Sequence, residues 1–369
     1  MVFHYSIFDE SRDRNGGGHR TAQIRDLLRG AAIEGSELRE TADLSVFSKL
    51  AGWWILRAAV GIKLPLRRRF GRQGAGYWAF RRHLRASRDG NDVLLWESRD
   101  GGGMGIFGAA RRNKIPILAL PQNLESLVDD DRHNSFGRDG PWRIGEEIAQ
   151  LAKCDAVFTI SWEEYWLLKN TGCKVFLLPY YPPKVLLPVL HDLRRRRSSP
   201  GAFHFLFGTA ENPPTLEGMQ EFLRRYVQLP KRKRRPLIVA GHGTDRLKAF
   251  ADGRDVQILG RVTPAQLDGL MVQAGCLVVH QARGAGALTR IVEALVAGVP
   301  TIVNPMASRS VSQYNGVYTW RHVEELEHLL ERDLPMPPVP SRPEQFEAEF
   351  IRLVRDRLYP PLAARPSRA

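Results

Sequence analysis

Short, uninterrupted apolar runs alternate with longer segments of helical periodicity along the first half of the chain. The runs at 2–8, 92–97, 115–123, 155–161 and 173–183 are rich in aromatic, aliphatic and β-branched residues, which is typical of strands buried on both faces. Between them, apolar residues recur three and four positions apart, which predicts helices. This alternation predicts a parallel sheet with helices on both faces.

The alternation pauses at residues 180–201, which are rich in proline and charge and predict a connection between two domains. It then restarts, and a proline-rich break at 333–343 leads into a last helical segment at 344–359. The second set of predicted strands is 202–208, 236–241, 256–262, 276–281 and 300–304. The pattern predicts an α/β fold with two doubly wound, Rossmann-like domains in series and a C-terminal helix.

The predicted boundaries follow from these breaks. We expect an N-terminal domain at 1–182, a linker at 183–201 and a C-terminal domain at 202–340. The C-terminal helix, within 341–369, is expected to pack back toward the N-terminal domain.

The composition is that of a soluble globular protein. Of its 369 residues, 43% are hydrophobic and 25% charged, so the chain can bury two cores. Cys154, Cys173 and Cys276 are far apart and show neither metal-ligand nor disulfide spacing, which favours a reducing cytoplasm. The first residues lack the pattern of a signal peptide, and no apolar stretch is long enough to cross a bilayer. We therefore expect a cytoplasmic protein, soluble or peripheral at the inner face of a membrane.

The formal net charge of +14 favours anionic partners, whether nucleic acid, phosphorylated substrate or anionic membrane. Basic residues cluster at 65–72, 194–197 and 231–235. A solvated loop is the simpler interpretation of the last two clusters. Because no nucleic-acid module is recognisable and no stacking aromatics interleave the clusters, nucleic acid is not an expected partner.

The first basic cluster follows an apolar segment that contains two adjacent tryptophans. This combination suits an element lying on an anionic membrane surface, and a buried helix with a basic end is an equal alternative. The candidate membrane-surface residues are Trp53, Trp54, Arg67, Arg68 and Arg69.

Residues 284–300, GAGALTRIVEALVAGVP, combine a glycine-rich loop with a helical segment. In a doubly wound sheet, ligands bind where the carboxyl ends of strands lead through loops into helices. A strand is predicted to end near His280 and a helix to begin near Ala287, so the first-turn N–H groups of that helix form an anion site. Gly284 and Gly286 would let the backbone approach a phosphate closely.

Two charged residues follow on this helix. Arg290 can add a charge-assisted contact to the same anion, and Glu293 offers two acceptor oxygens to the vicinal hydroxyls of a ribose. A surface ion pair between the two is the alternative. Together, the loop and the two side chains suit a nucleotide.

The segment GAGALTRIVEALVAGVPTIV resembles the nucleotide-binding signature of the group 1 nucleotide-sugar glycosyltransferases. Other segments resemble the same family in the same order along the chain: 115–126, 153–180, 205–223, 237–250 and 256–279. The resemblance implies the two-domain GT-B fold, with a cleft between the domains. It also implies retaining hexosyl transfer from a nucleoside-diphosphate sugar, without metal or other cofactor, to a glycan or lipid-linked acceptor.

The resemblance also implies roles for individual residues. Arg290 would bind the diphosphate and Glu293 the ribose, and these two are the predicted catalytic residues. Gly284, Ala285 and Gly286 would contact the phosphate or the sugar.

The donor would also contact residues at two other strand ends. Gly260, Arg261 and Val262 would contact the nucleotide base. Thr209 and Asn212 lie just after the first strand of the C-terminal domain. In the N-terminal domain, Gly17, Gly18 and His19 would form a loop that faces the acceptor or the diphosphate.

The sequence departs from the family in three places. Ala285 stands where the family often has a second glutamate, and 208–218 lacks the arginine–lysine pair often found there. The histidine near the reacting sugar is not identified, since His19, His133 and His280 all suit structural or exposed roles. Two alternatives therefore stay open: a non-catalytic nucleotide-sugar-binding subunit of a glycan biosynthesis complex, and a nucleotide-sugar epimerase of the same fold.

Overall fold

The structure is a computed structural model that describes residues 1–8, 15–38, 45–55, 70–86, 91–97, 103–127, 144–197, 201–230 and 235–359. The chain divides into two compact units. Unit 1 is Met1–Pro179 together with Pro343–Ala369, and unit 2 is Tyr180–Arg342.

Unit 1 contains the strands β1 (Val2–Tyr5), β2 (Gly35–Leu38), β3 (Val93–Trp96), β4 (Ile117–Ala119), β5 (Ala156–Thr159) and β6 (Val175–Leu177). They form one parallel sheet in the order β2-β1-β3-β4-β5-β6. The helices are α1 (Gly16–Gly30), α2 (Val46–Trp54), α3 (Phe70–Ala86), α4 (Met104–Arg112), α5 (Ile144–Leu151) and α6 (Trp162–Asn170).

The sheet of unit 1 has an apolar core on each face, because the inner strands β1, β3, β4 and β5 are buried at every position and mostly apolar. In β3, Leu94 and Trp96 belong to one cluster, whereas Val93 and Leu95 belong to the other, as the alternation of side chains along a strand requires.

Unit 2 contains the strands β7 (Phe203–Phe207), β8 (Leu237–Ala240), β9 (Val256–Gly260), β10 (Ala274–Val279), β11 (Thr301–Val303) and β12 (Val317–Thr319). They form a second parallel sheet in the order β12-β11-β10-β7-β8-β9. The helices are α7 (Leu187–Arg196), α8 (Pro213–Gln228), α9 (Pro264–Gln273), α10 (Thr289–Val296), α11 (Pro305–Ser308) and α12 (Val323–Glu331).

The last helix, α13 (Glu344–Leu358), belongs to unit 1. Its Phe350 is fully buried and packs edge-on against Phe158 of β5, with ring centroids 5.1 Å apart. The chain therefore completes unit 2 and then returns to contribute to the core of unit 1.

The predicted α/β class with two doubly wound parallel sheets is confirmed. Two strands were not predicted, β2 and β12, because each lies at the edge of its sheet and lacks a fully buried apolar run. The segment 183–201, expected to be a linker, contains α7, whose Arg194 donates hydrogen bonds to the carbonyl oxygens of Leu295 and Val296.

Two local details also differ from expectation. Residues 244–250 form a 3₁₀ helix, and α10 begins at Thr289, two residues later than predicted. Among the described helices, none has an apolar stretch that could cross a bilayer.

Candidate functional site

The sheet of unit 2 changes direction between β7 and β10. From β7 the chain moves outward to β8 and β9, then crosses to β10 and continues outward through β11 and β12. Since the strands are parallel, their carboxyl ends share one edge, and the loops after β7 and β10 diverge there. This switch point is the place where doubly wound sheets bind ligands.

The loop after β10 is fixed from the neighbouring strand. The backbone N–H of Gln281 donates to Asn304 Oδ1 (3.0 Å), and Asn304 Nδ2 donates to the carbonyl oxygen of Gln281 (2.8 Å). Arg309 Nη2 donates to the carbonyl oxygen of Gly286 at 2.9 Å. These hydrogen bonds fix the shape of the loop.

Two glycines in this loop have backbone angles that favour glycine, with φ of +108° at Gly284 and +79° at Gly286. Directly before Gly284, Arg283 makes a two-pronged contact with Glu217 of α8, through Nε at 2.8 Å and Nη2 at 2.9 Å. This contact lowers the pKa of Glu217 and ties the loop to the helix that follows β7.

The start of α10 lacks a side-chain cap. Its N-cap residue is Leu288, which has no polar side chain, and no side-chain capping bond is present. The unpaired amides of a first helical turn carry a partial positive charge that favours an anion.

Arg290 lies at the switch point itself. A Cβ added to Gly208, which follows β7, would lie 3.6 Å from Arg290 Cζ, so the guanidinium group rests over this glycine. The Nε atom of Arg290 is enclosed and finds no hydrogen-bond partner in the part of the chain that the structure describes. Burial lowers the pKa of Arg290 to about 10, although the nearby Glu293 raises it, and the group remains cationic at neutral pH.

Glu293, one turn further along α10, is half-buried. The hydroxyl of Tyr180 donates to Glu293 Oε1 at 2.6 Å. This bond fixes one carboxylate oxygen, and hydrogen bonds of this length to a charged acceptor are strong.

The other predicted donor contacts also lie at the carboxyl edge of this sheet. Thr209 and Asn212 are exposed, and Asn212 is the N-cap residue of α8 without a side-chain capping bond. Gly260 ends β9 with a φ of +72°, Arg261 is exposed and Val262 half-buried. Ala285 is half-buried between the two loop glycines.

The residues predicted for unit 1 adopt a different local structure from that expected. Gly17, Gly18 and His19 lie in the first turn of α1, not in a loop. The side chain of Asn15 caps this turn by accepting from the backbone N–H of Gly18 at 3.0 Å. A Cβ on Gly17 would overlap the ring of Phe8, which explains the need for glycine there.

Of the histidines considered, His280 is buried at the end of β10. Its Nε2 lies 3.1 Å from Glu221 Oε2, and its ring packs 5.4 Å from that of Trp320. Burial lowers the pKa of His280, with partial compensation from Glu221. His19 is half-buried in α1, and His133 lies outside the described residues.

Only two of the five candidate membrane-surface residues lie in the part of the chain that the structure describes. Trp53 and Trp54 are exposed on α2, whereas Arg67, Arg68 and Arg69 lie outside the described residues. Among the residues that the structure describes, no three His, Cys, Asp or Glu side chains are grouped so as to hold a metal ion.

Unit 1 carries a buried polar cluster at its own switch point, between β1 and β3. Glu97 accepts from Thr21 Oγ1 at 2.7 Å and from Gln122 Nε2 at 2.6 Å, and its other oxygen lies 2.5 Å from His4 Nε2. Ser6 Oγ lies 3.0 Å from Thr21 Oγ1. This cluster was not predicted, because its members are far apart in the sequence.

Four residues of the unit 2 site were also absent from the sequence-based candidates: Tyr180, Gly208, Asn304 and Arg309. Gly208 and Asn304 directly follow strand ends, a position that signals ligand contact in this fold class. Tyr180 and Arg309 carry no local signal, because their roles depend on contacts with residues distant in sequence.

Comparison with solved structures places the chain in a known architecture. Sucrose-phosphate synthase from Thermosynechococcus elongatus matches with a TM-score of 0.62 and 14% identity, over 97% of this chain and 93% of that one. The UDP-forming α,α-trehalose-phosphate synthase from Burkholderia vietnamiensis matches with a TM-score of 0.57 and 12% identity, over 97% and 93%.

A third match is the UDP-GlcNAc 2-epimerase from Methanocaldococcus jannaschii, with a TM-score of 0.52 and 12% identity, over 96% and 98% of the two chains. No protein-family model and no curated protein matches the sequence. At these identities the likeness is one of fold, and the predicted GT-B fold is confirmed.

Proposed function

We propose that this chain is a glycosyltransferase of the hexosyltransferase type, which binds a nucleoside-diphosphate sugar at the carboxyl edge of the unit 2 sheet. The observation that carries the proposal is the enclosed Arg290 cation, whose Nε has no hydrogen-bond partner among the described residues, over Gly208 and beside the uncapped start of α10. Desolvation of a cation is costly, the nearby Glu293 offsets part of that cost, and an anionic ligand would offset more of it. The similar fold of two sugar-phosphate synthases supports the same reaction class.

In this proposal, the diphosphate lies against the Gly284–Gly286 loop and the first turn of α10. The negative charge that develops on the departing diphosphate would be stabilised by Arg290 and by the backbone amides, which are held in place before the reaction. Arg309 supports them by fixing the carbonyl group of Gly286. Because a permanent cation already faces the leaving group, we propose transfer without a metal ion, and with retention as in the family that the sequence resembles.

Glu293 would accept hydrogen bonds from the ribose hydroxyls, with its second oxygen held by Tyr180. Gly260, Arg261 and Val262 would contact the base, while Thr209, Asn212 and Ala285 would line the sugar or the phosphates. In unit 1, we propose that the turn at Gly17, Gly18 and His19 contributes to acceptor or diphosphate binding. The proposed acceptor is a glycan, either polysaccharide or lipid-linked, and the proposed location is the cytoplasm, at the inner face of a membrane.

Titration calorimetry with UDP, GDP and ADP tests the nucleotide site directly. We expect one diphosphate to bind, and Arg290→Met and Glu293→Gln each to weaken its affinity by about tenfold or more, since a hydrogen bond to a charged group contributes about 1.5–3 kcal/mol. Arg332→Met and Glu331→Gln, which change exposed residues at the end of α12, are the matched controls. Affinity that is the same in all five proteins would contradict the proposed site.

Ala285 favours a second candidate function, because the family often has a glutamate near the donor sugar at this position. A chain that binds the nucleotide-sugar without transferring it, or that epimerises it as the M. jannaschii enzyme of similar fold does, would bind in the same titration. Product analysis separates these outcomes: transfer releases the nucleoside diphosphate, epimerisation gives a new nucleotide-sugar, and a binding subunit gives neither.

A further inference from the structure

The short helix α2 of unit 1 has its apolar face turned outward. Val46, Phe47, Leu50, Trp53 and Trp54 occur at helical spacing along one side, and all five are exposed, with Phe47 81% exposed and Leu50 60%. The opposite side is formed by Ser48 and Gly52, which are buried. An amphipathic helix on a soluble domain normally has the reverse orientation.

Close packing against α3 fixes this orientation. A Cβ added to Gly74 of α3 would lie 1.8 Å from the carbonyl oxygen of Ser48, so the two helix backbones touch. On its other side, α3 is just as close to α4, where a Cβ on Gly105 would lie 1.8 Å from the carbonyl oxygen of Gln73. Because only small residues fit at these crossings, α2 cannot rotate to bury its tryptophans, and the exposed face is a stable feature.

The exposed aromatic surface continues from α2 onto α3. Trp54 packs edge-on against Tyr77, with centroids 6.4 Å apart, and Tyr77 in turn packs against Trp78, which is 42% exposed. Arginine side chains lie over these rings: Arg112 is 4.8 Å from the Trp54 ring, and Arg81 is within 6 Å of both Tyr77 and Trp78. We call this surface, formed by α2 and the exposed side of α3, the aromatic face.

The charged residues of α2, α3 and α4, apart from histidine, are all basic. Helix α2 carries one lysine, α3 four arginines and α4 two arginines, and none of the three contains an aspartate or a glutamate. Indole rings favour the boundary between lipid headgroups and acyl chains, and arginine and lysine near that boundary are attracted to anionic lipids. A protein partner would have to match an apolar ridge that carries Arg112 and Arg81 over its aromatic rings.

We propose that the aromatic face docks on an anionic phospholipid membrane, with the side chains of α2 inserted at the headgroup level. This proposal identifies the surface that would bind the membrane, and of the proposed function it rests only on the location at a membrane. It uses only residues of unit 1, so it stands or falls independently of nucleotide binding in unit 2. Docking in this way would hold the protein where a lipid-linked acceptor is found.

Flotation of the full chain with phosphatidylcholine vesicles, with and without phosphatidylglycerol, tests the proposal. We expect binding to the anionic vesicles and weaker binding in high salt, because salt screens the attraction between lysine or arginine and the headgroups. Phe47→Glu with Leu50→Glu, and separately Trp53→Ser, should reduce binding by about tenfold, since each removes apolar surface that enters the membrane. Trp166→Ser, which alters a tryptophan of α6 that is 56% exposed, is the matched control and should bind normally.

Affinity for nucleoside diphosphates, measured on the same variants, should not change, which shows that unit 2 is intact. The proposal is overturned if the chain ignores anionic vesicles, if it binds neutral vesicles equally well, or if the α2 variants bind as the unaltered chain does. It is also overturned if the α2 variants instead abolish self-association, since the face would then be an interface between two copies.

Discussion

The two sheets of this protein differ in the hydrogen bonding of the charged side chain at the switch point. In unit 1, Glu97 is enclosed and accepts hydrogen bonds from Thr21 and Gln122, and it lies within hydrogen-bonding distance of His4. In unit 2, Arg290 at the equivalent edge has an Nε without a partner among the described residues. The first arrangement contributes to stability, whereas in the second the proposed anionic ligand would contact Arg290.

The helix that begins beside each switch point shows the same contrast. The first turn of α1 is capped by Asn15, while α10 begins after Leu288 without a side-chain cap. A side-chain cap contributes about 1 kcal/mol to stability, and its absence leaves amide groups that can bind a ligand. The two sheets therefore differ at their carboxyl edges, and this difference supports the proposal that the donor binds in unit 2.

The largest effect on stability is expected from removing Glu97 at the switch point of unit 1. Glu97→Ala removes a buried carboxylate and leaves Thr21, Gln122 and His4 without it, which should lower the free energy of unfolding by about 3–5 kcal/mol. Urea unfolding measures the loss. Glu37→Ala removes a partly exposed carboxylate that pairs with Arg25 at 3.1 Å, and should cost about 1 kcal/mol or less. Similar losses in the two variants would mean that the cluster at the switch point of unit 1 is not important for stability.

The next effect concerns pH and the buried histidine of β7. Burial, with a smaller effect from Arg235, lowers the pKa of His204 to about 4, although the Leu330 carbonyl raises it. The unfolded chain therefore takes up a proton near pH 6.5 before the folded chain does, so stability falls as the pH drops from about 6.5 toward 4. The loss attributable to this residue should reach about 3 kcal/mol near pH 4.

Urea unfolding at several pH values provides the measurement. In His204→Gln the stability should depend less on pH over this range, with a residual dependence from His280, whose pKa is also lowered. His328→Gln, at an exposed position on α12, should retain the full dependence. An unaltered pH profile in His204→Gln would show that His204 does not control acid stability.

The smallest effect on stability is expected from removing the positive charge of Arg290 at the switch point of unit 2. Arg290→Met replaces a cation, whose desolvation outweighs the attraction of Glu293, with an apolar side chain of similar length, which should raise the free energy of unfolding by about 1 kcal/mol in the absence of ligand. Thermal unfolding without nucleotide tests this, with Arg332→Met as a control whose stability should stay within about 0.5 kcal/mol. A marked loss of stability in Arg290→Met would make Arg290 a structural residue and remove the contrast between the two edges.

Much of the fold follows from local pattern. The apolar runs of β1, β3, β7 and β10 identify buried parallel strands, because a strand covered on both faces is apolar at nearly every position. The loop of Gly284 and Gly286 could also be recognised from local sequence. The apolar run before it, the glycines themselves and the helical periodicity after it are all adjacent in the chain. Edge strands such as β2 escaped because an exposed strand needs no such run.

What the sequence determined by itself was therefore the class of fold, the order of the elements and the presence of Arg290 and Glu293 on one helix. Tertiary structure alone decided what these residues face. Tyr180 meets Glu293 from 113 positions away, Gly208 makes room for the guanidinium of Arg290, and contact between the backbones of α2 and α3 turns the tryptophans outward. The physical reason is that the spacing of apolar residues shows only that a helix or strand has one apolar and one polar side. Which side is buried depends on close packing against elements that are distant in the chain.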